Sequence, residues 1–154
     1  MHARLLGFTS ALALAATGAL AESHFNRIAT FPVIANMAAG ADTARESSAE
    51  IVSASEDGMT LVYTDSPLGV VGLIDITDPR APRALGNIDA GGAPTTAVFI
   101  GDVVFAGVNT SESYTNPSGK LVTIDPATKA ITAECDLGGQ PDAVARAPDG
   151  SFLA

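Results

Sequence analysis

After residue 49 the chain reads as short apolar or alternating runs cut by turn-forming residues. Glu50–Ser55, Thr60–Thr64, Val70–Ile76 and Ala84–Ile88 are rich in Val, Ile and Leu, or alternate apolar with polar, as strands with a buried face do. Between them stand Asp57-Gly58, Ser66-Pro67-Leu68-Gly69 and Asp78-Pro79-Arg80-Ala81-Pro82, residues that preset or tolerate turn backbones. A second set follows the same plan: Thr96–Ile100, Val103–Val108, Lys120–Ile124 and Ala130–Leu137. Its turns are Gly101-Asp102, a longer loop over 109–119, and Asp125-Pro126-Ala127-Thr128. Ala143–Ala147 and Ser151–Ala154, either side of Asp149-Gly150, start a third.

These sets are repeats. Glu50 leads an alternating stretch to Asp57-Gly58, and Asp142 leads another to Asp149-Gly150, at an offset of 92. Gly91-Gly92-Ala93-Pro94-Thr95 is matched by Gly138-Gly139-Gln140-Pro141-Asp142 at an offset of 47. Four short strands per period of about 46 residues predict the blade of a β-propeller. The fold expected is therefore all-β: an incomplete propeller with two four-stranded blades and the start of a third. A β-sandwich also uses short strands, but it does not account for matched landmarks at this spacing. The WD40 subtype does not fit a chain with no tryptophan. Two blades and a fragment leave open sheet edges, so further blades of the same chain are the first expected partner.

The N-terminus adds a compartment. One basic residue, Arg4, precedes an apolar run over Leu5–Leu20, and Ala19-Leu20-Ala21 forms an A-x-A cleavage site. This is the three-part secretory pattern, so residues 1–21 are expected to leave as a signal peptide. Residues 22–48 are then a lead-in, and 49–154 hold the blades. The run is short for a bilayer span, and no later segment is long and apolar enough to cross a membrane. The predicted location is the periplasm or the exterior.

Charge narrows the partners. Cleavage removes Arg4 and none of the 17 acidic residues, leaving 7 basic ones and a net charge of −10. So acidic a surface repels phosphate backbones, which argues against nucleic acid. Cys135 is the single cysteine; a buried apolar side chain is the favoured expectation for it, and a partner beyond residue 154 is the alternative. His24 is the only histidine after the signal, so this stretch holds neither the base of a serine or cysteine triad nor a zinc ligand set.

Phe25-Asn-Arg-Ile-Ala-Thr-Phe-Pro, Ala49-Glu-Ile-Val, Leu73-Ile-Asp-Ile-Thr-Asp-Pro79 and Leu137-Gly-Gly-Gln-Pro-Asp142, with Pro148-Asp-Gly150, resemble the start of a secreted bacterial propeller. The chain is similar to the esterase-like activity of phytase family, and also to the secreted choice-of-anchor I propellers, some labelled alkaline phosphatase. The resemblance implies hydrolysis of phosphomonoesters or other esters outside the cytoplasm, with a small phosphorylated or ester substrate and a divalent metal. The alternative is a non-catalytic propeller that binds a protein, a glycan or an envelope component. Fold alone does not choose between them.

Candidate residues come from the repeat alignment. Glu50, Thr95 and Asp142 head the innermost strand of successive periods. Two carboxylates and a hydroxyl around a tunnel could hold calcium or another divalent cation, which takes oxygen ligands; the competing reading is that they are solvated strand ends. The loops joining second and third strands would share that mouth, with Asp65 and Ser66 from one and Asn109, Glu112 and Tyr114 from the other. Asp65, Glu112 and Tyr114 are the binding candidates. Arg146, four positions beyond Asp142, is expected to form a salt bridge with it rather than to capture phosphate.

Export supplies the first test. N-terminal sequencing of the exported protein is expected to begin at Glu22; an intact Met1 on a membrane-bound product would refute the cleaved signal.

Overall fold

The computed structural model describes residues 26–154; the signal segment and His24 lie outside the described residues. The described chain is all-β apart from a single 3-10 turn, Val33–Asn36. Eight strands follow: β1 Val52–Ala54, β2 Thr60–Asp65, β3 Val70–Asp75, β4 Arg83–Asp89, β5 Ala93–Ile100, β6 Val103–Asn109, β7 Gly119–Asp125 and β8 Ala130–Asp136. They pair antiparallel in chain order as two separate four-stranded sheets, β1–β4 and β5–β8. Each expected four-strand period thus builds one sheet. Among the described residues no helix is long and apolar enough to cross a membrane.

β1 is shorter than its sequence pattern suggests. Pairing with β2 continues past its start, since Glu50 N–H donates to Thr64 O and Thr64 N–H to Ile51 O, both at 3.0 Å. The Thr64 hydroxyl also accepts from Ile51 N–H at 3.2 Å, which breaks the ladder geometry there. The third period forms a hairpin, not two full strands. A bridge joins Arg146 to Leu153, with Ala145 and Ala154 exchanging bonds of 2.8 and 2.9 Å.

The repeat is also a repeat of backbone shape. Gly58 and Gly150 have φ of 69° and 71°, and Gly91 and Gly138 have φ of 68° and 67°, the left-handed region that side chains rarely adopt. Aspartates brace the turns. Asp57 accepts from Ser55 Oγ at 2.6 Å and Met59 N–H at 2.9 Å, and Asp149 from Ser151 Oγ at 2.6 Å. Those serine hydroxyls, foremost among the causes, hold both carboxyls below the usual carboxylate range. Asp75 and Asp125 are lowered in the same way by hydrogen bonds from Thr77 and Thr128.

The core lies between the sheets. Val62, Val71, Leu73 and Ile88 of the first sheet meet Ala97, Phe99, Val104, Ala106, Val122 and Ile124 of the second in one buried cluster. β5 runs against β1, β2 and β3. Partners in register share a face: Val62 stands opposite Leu73, Val71 opposite Ile88, Ala106 opposite Val122 and Val104 opposite Ile124. Period-2 alternation therefore sends all of them to the interface.

The opposite face of the first sheet is covered by the lead-in. Asn36, 3% exposed, donates to Leu73 O at 2.9 Å and to the Tyr63 hydroxyl at 3.1 Å, and its Oδ1 accepts from Gly86 N–H at 3.0 Å. Tyr63 in turn donates to Asn87 Oδ1 at 3.1 Å. Its ring lies over Gly72, its cross-strand partner, where a Cβ would come within 2.1 Å of the ring.

Two substitutions test this clamp by urea unfolding. Asn36→Ala strands buried polar groups and is expected to cost about 1–3 kcal/mol. Gly72→Ala forces Tyr63 off its partner and is expected to cost about 1–3 kcal/mol. Combined with Tyr63→Ala, the Gly72→Ala cost should largely vanish, so the pair is sub-additive; full additivity would show that the ring does not rest on Gly72.

Candidate functional site

The antiparallel order places the head of β1, the β2–β3 turn, the head of β5 and the 109–119 loop at one end of the sheets. A line of hydrogen bonds joins the strand heads there. Ser66 Oγ lies 2.7 Å from both Glu50 Oε2 and Pro94 O. Thr95 Oγ1 donates toward Pro141 O at 3.0 Å, and Val144 N–H donates to Thr96 Oγ1 at 3.3 Å. These bonds join the β2–β3 turn to the start of β5, and β5 to the third period, through the backbone beside Thr95 and Asp142. Ser66, placed in the neighbouring turn by the sequence, sits between the first head and the second with one hydroxyl proton to give to either.

The candidate residues divide at this end. Glu50 and Asp142 are both exposed, and Glu50 Oε2 and Pro94 O share the single Ser66 hydroxyl proton. Asp65 is 0% exposed. Its carboxylate accepts from Ser47 Oγ at 2.6 Å, Ser48 N–H at 3.1 Å and Leu68 N–H at 3.2 Å. All three bonds are internal, so Asp65 fastens the lead-in and the β2–β3 turn rather than facing a ligand. It also adds to the rise in the pKa of Tyr63, which comes first from burial and is partly offset by the Asn36 hydrogen bond. Calcium seeks six to eight oxygens. Among the described residues no group of three or more His, Cys, Asp or Glu is placed to hold a metal ion.

The 109–119 loop is more ordered than its polar composition suggests. Asn109 Oδ1 accepts from Ser111 N–H at 2.9 Å, and Ser111 Oγ bridges Ser118 N–H and Ser118 O at 2.9 and 3.0 Å. Glu112 Oε2 accepts from Asn116 Nδ2 at 3.1 Å. Asn116 N–H donates to Ser113 O at 3.2 Å, closing a tight turn with Tyr114 at its corner. Tyr114 is 100% exposed.

Two expectations are corrected. Arg146 pairs with Glu56 of the β1–β2 turn, Nη2 to Oε1 at 2.8 Å, and not with Asp142. Four residues of extended chain span about 13 Å, which carries Arg146 toward the other end of the sheets and within reach of the first sheet's turn. Cys135 is exposed, not buried. It lies on β8, the outermost strand of the second sheet, where only Ile131 is partly buried.

The contrast between Asp65 and the loop is measurable. Asp65→Ala should lower unfolding free energy by about 1.5–3 kcal/mol, the cost of losing hydrogen bonds to a charged group. Tyr114→Ala and Glu112→Ala should stay within about 0.5 kcal/mol of the parent protein. Equal losses at all three positions in urea melts would contradict the division.

No family model and no curated protein sequence matches the chain. Among solved structures it is similar to the Kuenenia stuttgartiensis hydrazine synthase, with a TM-score of 0.57 at 18% identity over 68% of this chain and 28% of that one. The chain thus spans under a third of that structure's length, and the likeness extends to the fold alone.

Proposed function

We propose that the two sheets are consecutive blades of a β-propeller carried by an exported protein, and that its strand-head end is a recognition surface. Three features support the blade reading. Each period of about 46 residues builds one four-stranded meander, the two meanders pack face to face, and the third hairpin starts against β5 through Val144 and Arg146. The occupant of the surface is a protein, a glycan or an envelope component. One observation carries recognition: Tyr114 stands fully exposed on a loop that its own hydrogen bonds hold in shape. Binding through such a loop loses little conformational freedom.

Hydrolysis of a phosphomonoester or other ester is the second reading. What favours it is the shared placement of exposed Glu50 and Asp142 at strand heads, together with the family resemblance. The exposed Tyr114 turn, held in shape by its own hydrogen bonds, ranks recognition first.

Calcium and a generic substrate separate the two. On the recognition reading the protein melts at the same temperature in calcium and in chelator, because a ligand stabilises only the state that binds it. Turnover of 4-nitrophenyl phosphate then stays at the blank rate. Glu50→Gln with Asp142→Asn changes neither. A calcium-dependent rise in melting temperature, with hydrolysis that falls in the double variant, would put the hydrolase reading in its place.

A further inference from the structure

We infer that the Tyr114 turn is a saccharide-binding tip, taking a neutral oligosaccharide through one face of a pyranose ring. The inference rests on the recognition reading and names its ligand class. Tyr114 and Thr115 fill the two corner positions of the turn closed by Asn116 N–H to Ser113 O at 3.2 Å, so the phenol ring stands clear of the fold at 100% exposure. The C–H face of a pyranose is flat and apolar, and an aromatic ring offers it a matching surface together with a polar hydroxyl.

Polar side chains belong to the same turn. The 3.1 Å bond from Asn116 Nδ2 to Glu112 Oε2 sets a carboxylate and a carboxamide side by side. It uses one donor hydrogen of the amide and one oxygen of the acid. The remaining amide N–H, the amide oxygen and the second carboxylate oxygen match the donors and acceptors of vicinal sugar hydroxyls. Ser113 and Thr115, whose hydroxyls are 3.2 Å apart, add two more groups able both to donate and to accept.

Other ligand classes fit less well. A protein interface buries about 800 Å² on each partner around an apolar centre, and the neighbours of Tyr114 in this turn are Glu112, Ser113, Thr115 and Asn116, all polar. Phosphorylated or otherwise anionic ligands are opposed by Glu112 and by a chain with formal net charge −9.

Cellohexaose, xylohexaose, laminarihexaose, mannohexaose and chitohexaose are titrated against the exported protein and followed by calorimetry. At least one is expected to bind. Tyr114→Ala should weaken that sugar by roughly tenfold or more, the scale of losing an aromatic platform. Tyr114→Phe should stay within about threefold, because the ring face is kept. Both variants should melt like the parent protein. If none of the five binds at millimolar concentration, the saccharide assignment falls while recognition of another partner stands. If one binds and Tyr114→Ala binds it equally well, the tip is not the site.

Discussion

Face-to-face packing of the two meanders is the constraint from which the rest follows. An isolated four-stranded sheet of this length leaves one apolar face in water, and it becomes stable only when a second layer covers that face. Here Val62, Val71, Leu73 and Ile88 meet Ala97, Phe99, Val104, Ala106, Val122 and Ile124. Small residues in β5 and β6, Ala97 and Ala106 opposite each other in register, let the second sheet approach closely enough for Phe99 to be covered. Because strand side chains alternate with period two, a register slip of one residue would empty this core on both sides.

The first sheet has a second face, and its cover has a different character. A single buried amide does the joining: Asn36 bonds a strand carbonyl, a strand N–H and a phenol on three different strands. Burial of an amide is costly unless its hydrogen bonds are met, so this contact is tolerant of little variation in geometry and holds the lead-in in one place. Tyr63 fits beside it because Gly72 leaves the ring its room. Asp65 completes the attachment through Ser47 and Ser48. The lead-in is therefore part of the folded unit, tied by polar groups where the two sheets are tied by apolar ones.

The same polar economy shapes the strand-head end. Short hydroxyl side chains, Ser66 and Thr95, carry the links from one period to the next, which aligns the repeats without burying charge. Charged groups at the opposite end pair across the sheets, as Arg146 does with Glu56. Among the groups facing water at the strand-head end are the carboxylates of Glu50 and Asp142 and the Tyr114 turn. The turn's internal bonds hold it in shape.

Local chemistry was legible in the sequence wherever it acts locally. Alternation placed all eight strands, since side-chain direction follows from position along an extended chain. Aspartate and glycine marked the turns because their conformational needs are satisfied within three or four residues, and the matched Gly58 and Gly150 confirm the repeat in backbone angles. The sequence alignment set Thr95, near the start of β5, against Glu50, just before β1, and Asp142, which lies on no strand. Partners chosen across the fold were not legible. Asp65 looked like a loop acid until Ser47 and Ser48 closed over it, Arg146 passed Asp142 to reach Glu56, and Cys135 lay on an outer strand that nothing among the described residues covers. Asn36 gave no signal at all, being one polar residue in a lead-in without periodicity. In each case the outcome depends on which group another segment brings within 3 Å, and a hydrogen bond or ion pair is decided at that distance, which only the tertiary structure sets.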